Sequence, residues 1–230
     1  MDNSTFRQAR RSIEAHSLTV KQRLLVMALN AIPFLHALAI GIVACAPWTN
    51  WPQRIFMAMA VLYLLPAILA RMVIMMFPIQ HGAISLGTAD FFKWWALLNL
   101  QIIFCRFPFF DEFLRLFPSA YSAWLRLWGS KIGRLVYWSP ETRILDRSFL
   151  HIGDDVIFGA GVKLNPHVMI RNDNGQMELL LAPVKIGDRA IIGGYSLLTA
   201  GSEIPSDECS RAYLISPPFT KWQDGRRAKE

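Results

Sequence analysis

Histidine is the residue type in this chain best suited to acid–base chemistry, and the 230 residues include five of them. An imidazole with a pKa near 6.5 is largely neutral at neutral pH and can accept a proton from a reacting hydroxyl group. His167 is the leading candidate because it lies just before segment 171–183, where the pattern of the sequence changes. We therefore predict that His167 is a general base. The competing interpretation is a surface or core histidine beside Pro166.

The other histidines give weaker signals. His151 flanks the same region or occupies a solvated corner, and His36 lies within an apolar stretch, where packing and function are equally compatible with its position. His81 and Arg71 together are a candidate contact for an anionic headgroup. The C-terminal half contains only two histidines and no acidic or thiol residue at evident ligand spacing. The sequence therefore predicts no metal site.

The C-terminal half contains an internal repeat with a period of six residues. Each unit begins with an aliphatic or aromatic residue, followed by glycine or another small or turn residue. The units are IGDDVI, FGAGVK and LNPHVM from residue 152, then IGDRAI, IGGYSL and LTAGSE from residue 186. Neither an α-helix nor an exposed strand has this period. It predicts short strands joined by turns, three to a coil, with stacked coils paired by parallel ladders. Segment 171–183 breaks the period and is predicted to leave the coil as a loop.

The residues before the repeat have the composition of a membrane protein. The chain is 53% hydrophobic and only 18% charged, and most of the apolar excess lies before residue 130. Residues 24–53 carry no charge, and a helix over 24–48 would be roughly 37 Å long, enough to cross a bilayer. A second apolar stretch, 55–77, is interrupted only by Arg71. We predict a two-helix transmembrane hairpin within 24–78.

Lysine and arginine residues set the predicted orientation. They cluster before the first apolar stretch and after the second, and only Arg54 lies in the connecting turn. The positive-inside rule then places both termini in the cytoplasm. The expected location is a bacterial-type inner membrane. Because these basic residues flank hydrophobic helices, their expected partner is anionic lipid rather than nucleic acid. An alternative is cleavage and export, since the sequence around Cys45 resembles a signal-peptidase or lipoprotein processing site.

Aromatic residues beside arginine and lysine are concentrated between residues 79 and 130. They predict amphipathic helices in the interfacial plane of the membrane, with packing of the aromatic residues onto the hairpin as the alternative.

Three widely separated cysteines are interpreted as reduced thiols. The predicted domains are a basic arm (1–23), the hairpin (24–78), interfacial helices (79–130), a β-domain (131–212) with loop 171–183, and a tail (213–230).

The repeat resembles that of the hexapeptide-repeat acyltransferases, and residues 125–133 (LRLWGSKIG) resemble the segment that leads into the first coil of those enzymes. The preceding helices are similar to those of membrane-attached members. This resemblance implies a left-handed parallel β-helix, a homotrimer, an acyl-CoA bound between neighbouring β-helices, and a histidine as base. The expected function is transfer of acetyl from acetyl-CoA, a co-substrate rather than a permanently bound cofactor, to a hydroxyl of a membrane-associated or lipid-linked sugar or lipid.

The same resemblance implies positions for the donor, and the place of the acceptor is predicted beside His167 and at the cytoplasmic end of the hairpin. The expected donor contacts are Lys185, Arg189, Gly193, Gly194, Arg211, Pro217 and Lys221, and the expected acceptor contacts are Asn165, Arg71 and His81. Ser216 stands where the family often has glycine, which departs from the adenine contact of the relatives. A second hypothesis is a non-catalytic membrane scaffold that docks another biosynthetic subunit within a larger complex.

Overall fold

Apolar residues before residue 80 form three helices in the computed structural model, which describes residues 18–47 and 49–228. Helices α1 (Val20–Asn30) and α2 (Ile32–Ala44) are separated at Ala31, and helix α3 (Trp51–Met76) packs against α2. The segments Val20–Ala44 and Trp51–Met76 are each long and apolar enough to cross a membrane. Many of their large apolar side chains are exposed, including Phe34 and Phe56. Most of the predicted arm 1–23 and Trp48 lie outside the described residues.

Three further helices lie between α3 and the C-terminal half: α4 (Ala89–Arg106), α5 (Phe109–Arg115) and α6 (Ala120–Leu127). The hydroxyl of Thr88 caps α4 by accepting a hydrogen bond from the backbone of Phe91. Trp94, Trp124 and Trp128 are buried in one apolar core that is continuous from α3 to the β-domain. These tryptophans therefore pack inside the protein, as the alternative interpretation of this region expects. The exposed apolar side chains of this region are Phe107, Phe109, Leu116 and Phe117.

Short strands after residue 130 form three parallel sheets. The first contains β2 (Lys131–Ile132), β5 (Leu150–Ile152), β10 (Val184–Ile186) and β13 (Glu203–Ile204). The second contains β3 (Tyr137–Trp138), β6 (Ile157–Phe158) and β11 (Ile191–Ile192). The third contains β4 (Arg143–Ile144), β7 (Lys163–Asn165), β12 (Leu197–Thr199) and β14 (Ile215–Ser216). The chain visits the three sheets in turn, so one coil comprises one strand from each.

The register explains the period of six. Ile132, Ile152, Ile186 and Ile204 are paired neighbours in the first sheet, and all four point into the core. The glycine that follows this isoleucine allows adjacent coils to approach closely. A Cβ atom on Gly153 would lie 2.2 Å from a carboxylate oxygen of Asp188 in the next coil.

The coils extend past the C-terminal end of the predicted β-domain. They begin with β2, one coil before the first recognised hexapeptide, because Ile132, Trp138 and Ile144 already have the spacing of six. They continue past residue 212 through β14, and Lys221 forms a parallel bridge with Glu203. The predicted tail therefore includes part of the last coil, followed by a hairpin of β15 (Trp222–Gln223) and β16 (Arg226–Arg227).

Segment 171–183 leaves the coil as part of a β-hairpin. Strands β8 (His167–Arg171) and β9 (Met177–Leu181) form an antiparallel hairpin, and β1 (Gly82–Ser85), which precedes α4, pairs with the other edge of β9. The side-chain oxygen of Asn172 accepts hydrogen bonds from two backbone N–H groups and closes the turn of the hairpin. The third strand comes from a region that the sequence assigned to helices. This small sheet lies where the chain leaves the coil, immediately at His167.

Candidate functional site

The turn between β4 and β5 places two consecutive charged residues beneath helix α4. Asp146 and Arg147 are each 1% exposed. Because Ile144 pairs with Leu164 in the third sheet, the turn after Ile144 lies beside the corresponding turn of the next coil, which ends at His167. The stacking of coils therefore brings Asp146 and His167 together although 21 residues separate them.

Asp146 and His167 form a hydrogen-bonded pair. His167 Nδ1 lies 2.5 Å from Asp146 Oδ2, and the other carboxylate oxygen accepts a hydrogen bond of 3.0 Å from the indole N–H of Trp94. The His167 side chain is 16% exposed. A carboxylate accepts the proton on Nδ1, so the neutral imidazole carries its lone pair on Nε2. No residue in the described part of the chain hydrogen-bonds to Nε2, which leaves this atom available to accept a proton.

Two opposing effects act on the pKa of His167. Burial lowers the pKa by disfavouring the imidazolium, whereas the hydrogen bond and the negative charge of Asp146 raise it. The net result is a pKa above the ordinary histidine value. The imidazole is consequently a stronger base than a solvated histidine, and it is neutral only at higher pH.

Arg147 lies in a different network on the same turn. Its guanidinium forms a 2.7 Å salt bridge with Asp111 of α5, and Gln101 of α4 accepts hydrogen bonds from its backbone N–H and its side chain. Tyr121 of α6 donates to the same Asp111 carboxylate. Burial followed by the charge of Asp111 raises the pKa of Tyr121, and the Arg147 pKa lies above its ordinary value despite burial. Both groups keep one protonation state at physiological pH, as expected for a structural network.

Some of the predicted donor contacts form pairs with acidic residues at the surface. Lys185 in β10 contacts Glu203 at 2.7 Å, and Lys221 lies 3.5 Å from the same carboxylate. The hydrogen bond from Lys185 holds the pKa of Glu203 below its ordinary value. Arg189 forms two hydrogen bonds with Asp207 at an exposed corner.

The remaining predicted donor contacts lie in turns. Gly193 follows β11, and a Cβ atom there would lie 2.3 Å from the backbone of Arg211, so these two positions are adjacent. A Cβ atom on Gly194 would lie 3.1 Å from the carbonyl oxygen of Ala160 in the preceding coil, and Pro217 follows β14. Within the described residues, none of the seven predicted donor contacts hydrogen-bonds to His167.

The predicted acceptor contacts lie at three places. Asn165 in β7 precedes His167 by two residues, and Arg71 in α3 donates a long hydrogen bond of 3.4 Å to the backbone oxygen of Arg126. His81 lies next to β1, and its ring contacts the edge of Phe149 at 5.9 Å between centroids.

His81 is also close to the first sheet. Burial, followed by the charge of Lys185, lowers the pKa of His81. Burial, followed by the charge of Lys131, lowers the pKa of His151. Both imidazoles are therefore neutral at physiological pH. Among the described residues, no three histidine, cysteine or acidic side chains come together as a metal site.

Sequence reasoning missed Asp146 and Trp94. Asp146 had a usable signal, because extending the six-residue spacing back through Ile132 and Ile144 aligns the Asp146 turn with the turn that contains His167. Trp94 had none, because its contact with Asp146 spans 52 residues and joins a helix to the β-domain.

Comparison with known proteins gives limited matches. No known family's sequence profile matches the chain, and no curated protein matches it. The crystal structure of a maltose O-acetyltransferase from Clostridium difficile 630 is 20% identical, with a TM-score of 0.36, and the match covers 54% of this chain and 82% of that one. A hexapeptide-repeat-containing acetyltransferase from Vibrio cholerae is 15% identical, with a TM-score of 0.32 and coverage of 52% and 87%.

Proposed function

We propose that this protein is a membrane-bound O-acyltransferase that moves acetyl from acetyl-CoA to a hydroxyl of a membrane-associated sugar or lipid. The observation that carries the proposal is the buried pair of Asp146 and His167, in which Nδ1 of the imidazole is held and Nε2 is available. A general base is the group this reaction requires, because a hydroxyl must lose its proton as it attacks the thioester. The thioester is already activated, so no nucleophilic side chain is needed.

The proposed reaction uses His167 twice. Nε2 takes the hydroxyl proton while the hydroxyl oxygen bonds to the thioester carbonyl carbon, giving a tetrahedral intermediate and an imidazolium. Collapse of the intermediate breaks the carbon–sulfur bond, and the imidazolium returns its proton to the departing sulfur. The products are the acetyl ester and CoA with a free thiol, and the neutral base is regenerated. Asp146 stabilises the imidazolium between these two steps.

The proposed assembly follows from the β-domain. We propose that the coils form a left-handed parallel β-helix, that three copies associate, and that the donor lies between neighbouring copies near the predicted donor contacts. Tyr137, Ile157 and Ile191 are register neighbours in the second sheet, and all three are exposed. A neighbouring copy that covered this apolar ladder would remove it from water.

The proposed location follows from the helices. Helix α4 packs against α2 and α3, which belong to the two segments long enough to cross a membrane, and it also contacts Asp146 through Trp94. The site is thus joined to the hairpin by one rigid element, which suits an acceptor that resides in the membrane. We propose an inner-membrane location with both termini in the cytoplasm, where acetyl-CoA is made, and anionic lipid around the basic flanks of the hairpin.

Transfer of labelled acetyl tests this function. Membranes that contain equal amounts of wild type, His167→Ala or the control His151→Gln would be incubated with labelled acetyl-CoA, and lipid and glycan extracts would be counted. We expect label with wild type and the control, and none with His167→Ala. Equal label with His167→Ala would remove His167 as the base. Absence of label with every protein would favour the scaffold hypothesis.

A further inference from the structure

Helix α4 contacts the candidate pair through Trp94. Trp94 lies in the second turn of α4, is 2% exposed, and donates its indole N–H to Asp146 Oδ1 at 3.0 Å. Its ring also meets the His167 imidazole edge to face, with centroids 4.8 Å apart. Trp94 therefore contacts both members of the pair, whereas Gln101 of the same helix contacts Arg147.

The indole hydrogen bond constrains the Asp146 carboxylate in two ways. The terminal torsion of an aspartate side chain has a broad energy minimum, so one hydrogen bond from His167 alone does not fix the carboxylate plane. A second donor on the other oxygen fixes that plane and, through it, the orientation of the imidazole. The same donor neutralises part of the carboxylate charge, which limits how strongly Asp146 attracts a proton to His167.

We propose that Trp94 is a positioning residue for the transfer reaction, acting through Asp146 to hold the His167 imidazole with Nε2 directed to the acceptor. Helix α4 is then part of the catalytic centre as well as a support for the hairpin. The effect on transfer rate rests on the function proposed above. The effect on the proton affinity of His167 does not depend on that function.

Two variants remove the indole N–H and keep the apolar ring. Trp94→Phe replaces the two-ring indole by a smaller phenyl ring. Replacement of Trp94 by β-(3-benzothienyl)alanine substitutes sulfur for the N–H with almost no change of shape. The matched control is Trp95→Phe on the same helix, because the indole of Trp95 donates to Asn30 at 2.8 Å and is not bonded to Asp146. The benzothienylalanine variant carries the test if Trp94→Phe does not fold.

The experiment measures His167 and the reaction separately in the full-length protein in membranes. Modification by diethyl pyrocarbonate occurs on the neutral imidazole, and mass spectrometry of the peptide containing His167 gives its titration midpoint. Acetyl transfer is followed over the same pH range. In both Trp94 variants, we expect the His167 midpoint to move to higher pH and the transfer rate at the alkaline plateau to fall about tenfold, the effect of one lost hydrogen bond to a charged group. Trp95→Phe is expected to change neither quantity.

Three outcomes decide the proposal. An unchanged His167 midpoint in a folded benzothienylalanine variant would overturn it, and so would an equal shift in Trp95→Phe. A shifted midpoint confined to the Trp94 variants would support it. If wild type transfers no acetyl, the proposed function fails, while the titration of His167 still decides whether Trp94 acts on the pair.

Discussion

Asp146 and Arg147 are consecutive residues on one turn, are equally buried, and contact the same helix, yet they belong to two different kinds of site. Arg147 faces the Asp111 carboxylate, and a guanidinium stays charged at every physiological pH, so this pair has one electrostatic state. Asp146 faces His167, whose charge changes near neutral pH and whose side chain retains 16% exposure. Burial alone therefore does not distinguish a structural ion pair from a chemical one. The two kinds of pair are distinguished by the pH range in which the partner titrates and by the partner's access to solvent.

Loss of the imidazole is expected to have the largest effect on activity. His167→Ala removes the proposed base, and general base catalysis typically contributes about 10²–10⁴-fold to the rate. We expect kcat for acetyl transfer to fall by that factor and the unfolding free energy to fall by about 1–3 kcal/mol, because the buried Asp146 carboxylate loses one of its two hydrogen-bond donors. Kinetics and chemical denaturation on the same preparations provide the check. A His167→Ala variant that is destabilised but keeps the wild-type rate in its folded fraction would show that His167 is a structural residue and not the base.

Loss of the guanidinium is expected to have the largest effect on stability. Arg147→Met leaves the Asp111 carboxylate buried without its cation, and such a change typically costs about 3–5 kcal/mol of unfolding free energy. Denaturant titration in detergent measures it. Any loss of activity should follow the loss of folded protein.

A double variant controls for the charge left behind. Asp111→Leu combined with Arg147→Met removes both charges, and replacement of a buried ion pair by apolar residues is often neutral in stability. We expect the double variant to recover most of the unfolding free energy. A double variant as unstable as Arg147→Met alone would show that shape, rather than uncompensated charge, is the main contribution of this pair.

The period of six predicted the stacked coils because each core isoleucine has an equivalent above and below it, so a purely local pattern carries the three-dimensional repeat. The same pattern placed His167 at the point where the chain leaves the coil. The pairing of β1 with β9 and the hydrogen bond from Trp94 to Asp146 depend on contacts between residues 79–130 and the β-domain, which are distant in sequence. No local period encodes such contacts, and therefore the sequence did not predict that residues 79–130 contribute a strand and a hydrogen-bond donor to the site.

The pH dependence of the reaction sharpens the comparison between the two pairs. Since Asp146 raises the pKa of His167 above its ordinary value, the base is protonated at low pH, and kcat/KM should fall as pH decreases through that raised pKa. The midpoint of the acid limb is expected above pH ~6.5, the value of a solvated histidine. Arg147 has no counterpart in this profile because it does not titrate in this range. A midpoint below the ordinary value would show that burial outweighs Asp146.

Surface pairs should matter least for stability. Lys185 and Glu203 are partly exposed, and solvent-exposed ion pairs typically contribute about 0–1 kcal/mol. We expect Glu203→Gln to change the melting temperature by a small amount and to lower the salt dependence of stability. A large loss of stability would show that the first sheet depends on this pair for its register.

The Asp146→Asn variant tests the central claim most directly, because it alters the partner of His167 without changing size. An asparagine amide can donate to Nδ1, which favours the tautomer with a proton on Nε2 and removes the base. Measured beside wild type, the variant is predicted to lose about 10²-fold or more in kcat for acetyl transfer, and its residual acid limb is predicted to move to lower pH. Wild-type rate and pH dependence in folded Asp146→Asn protein would contradict the assignment of this pair to catalysis.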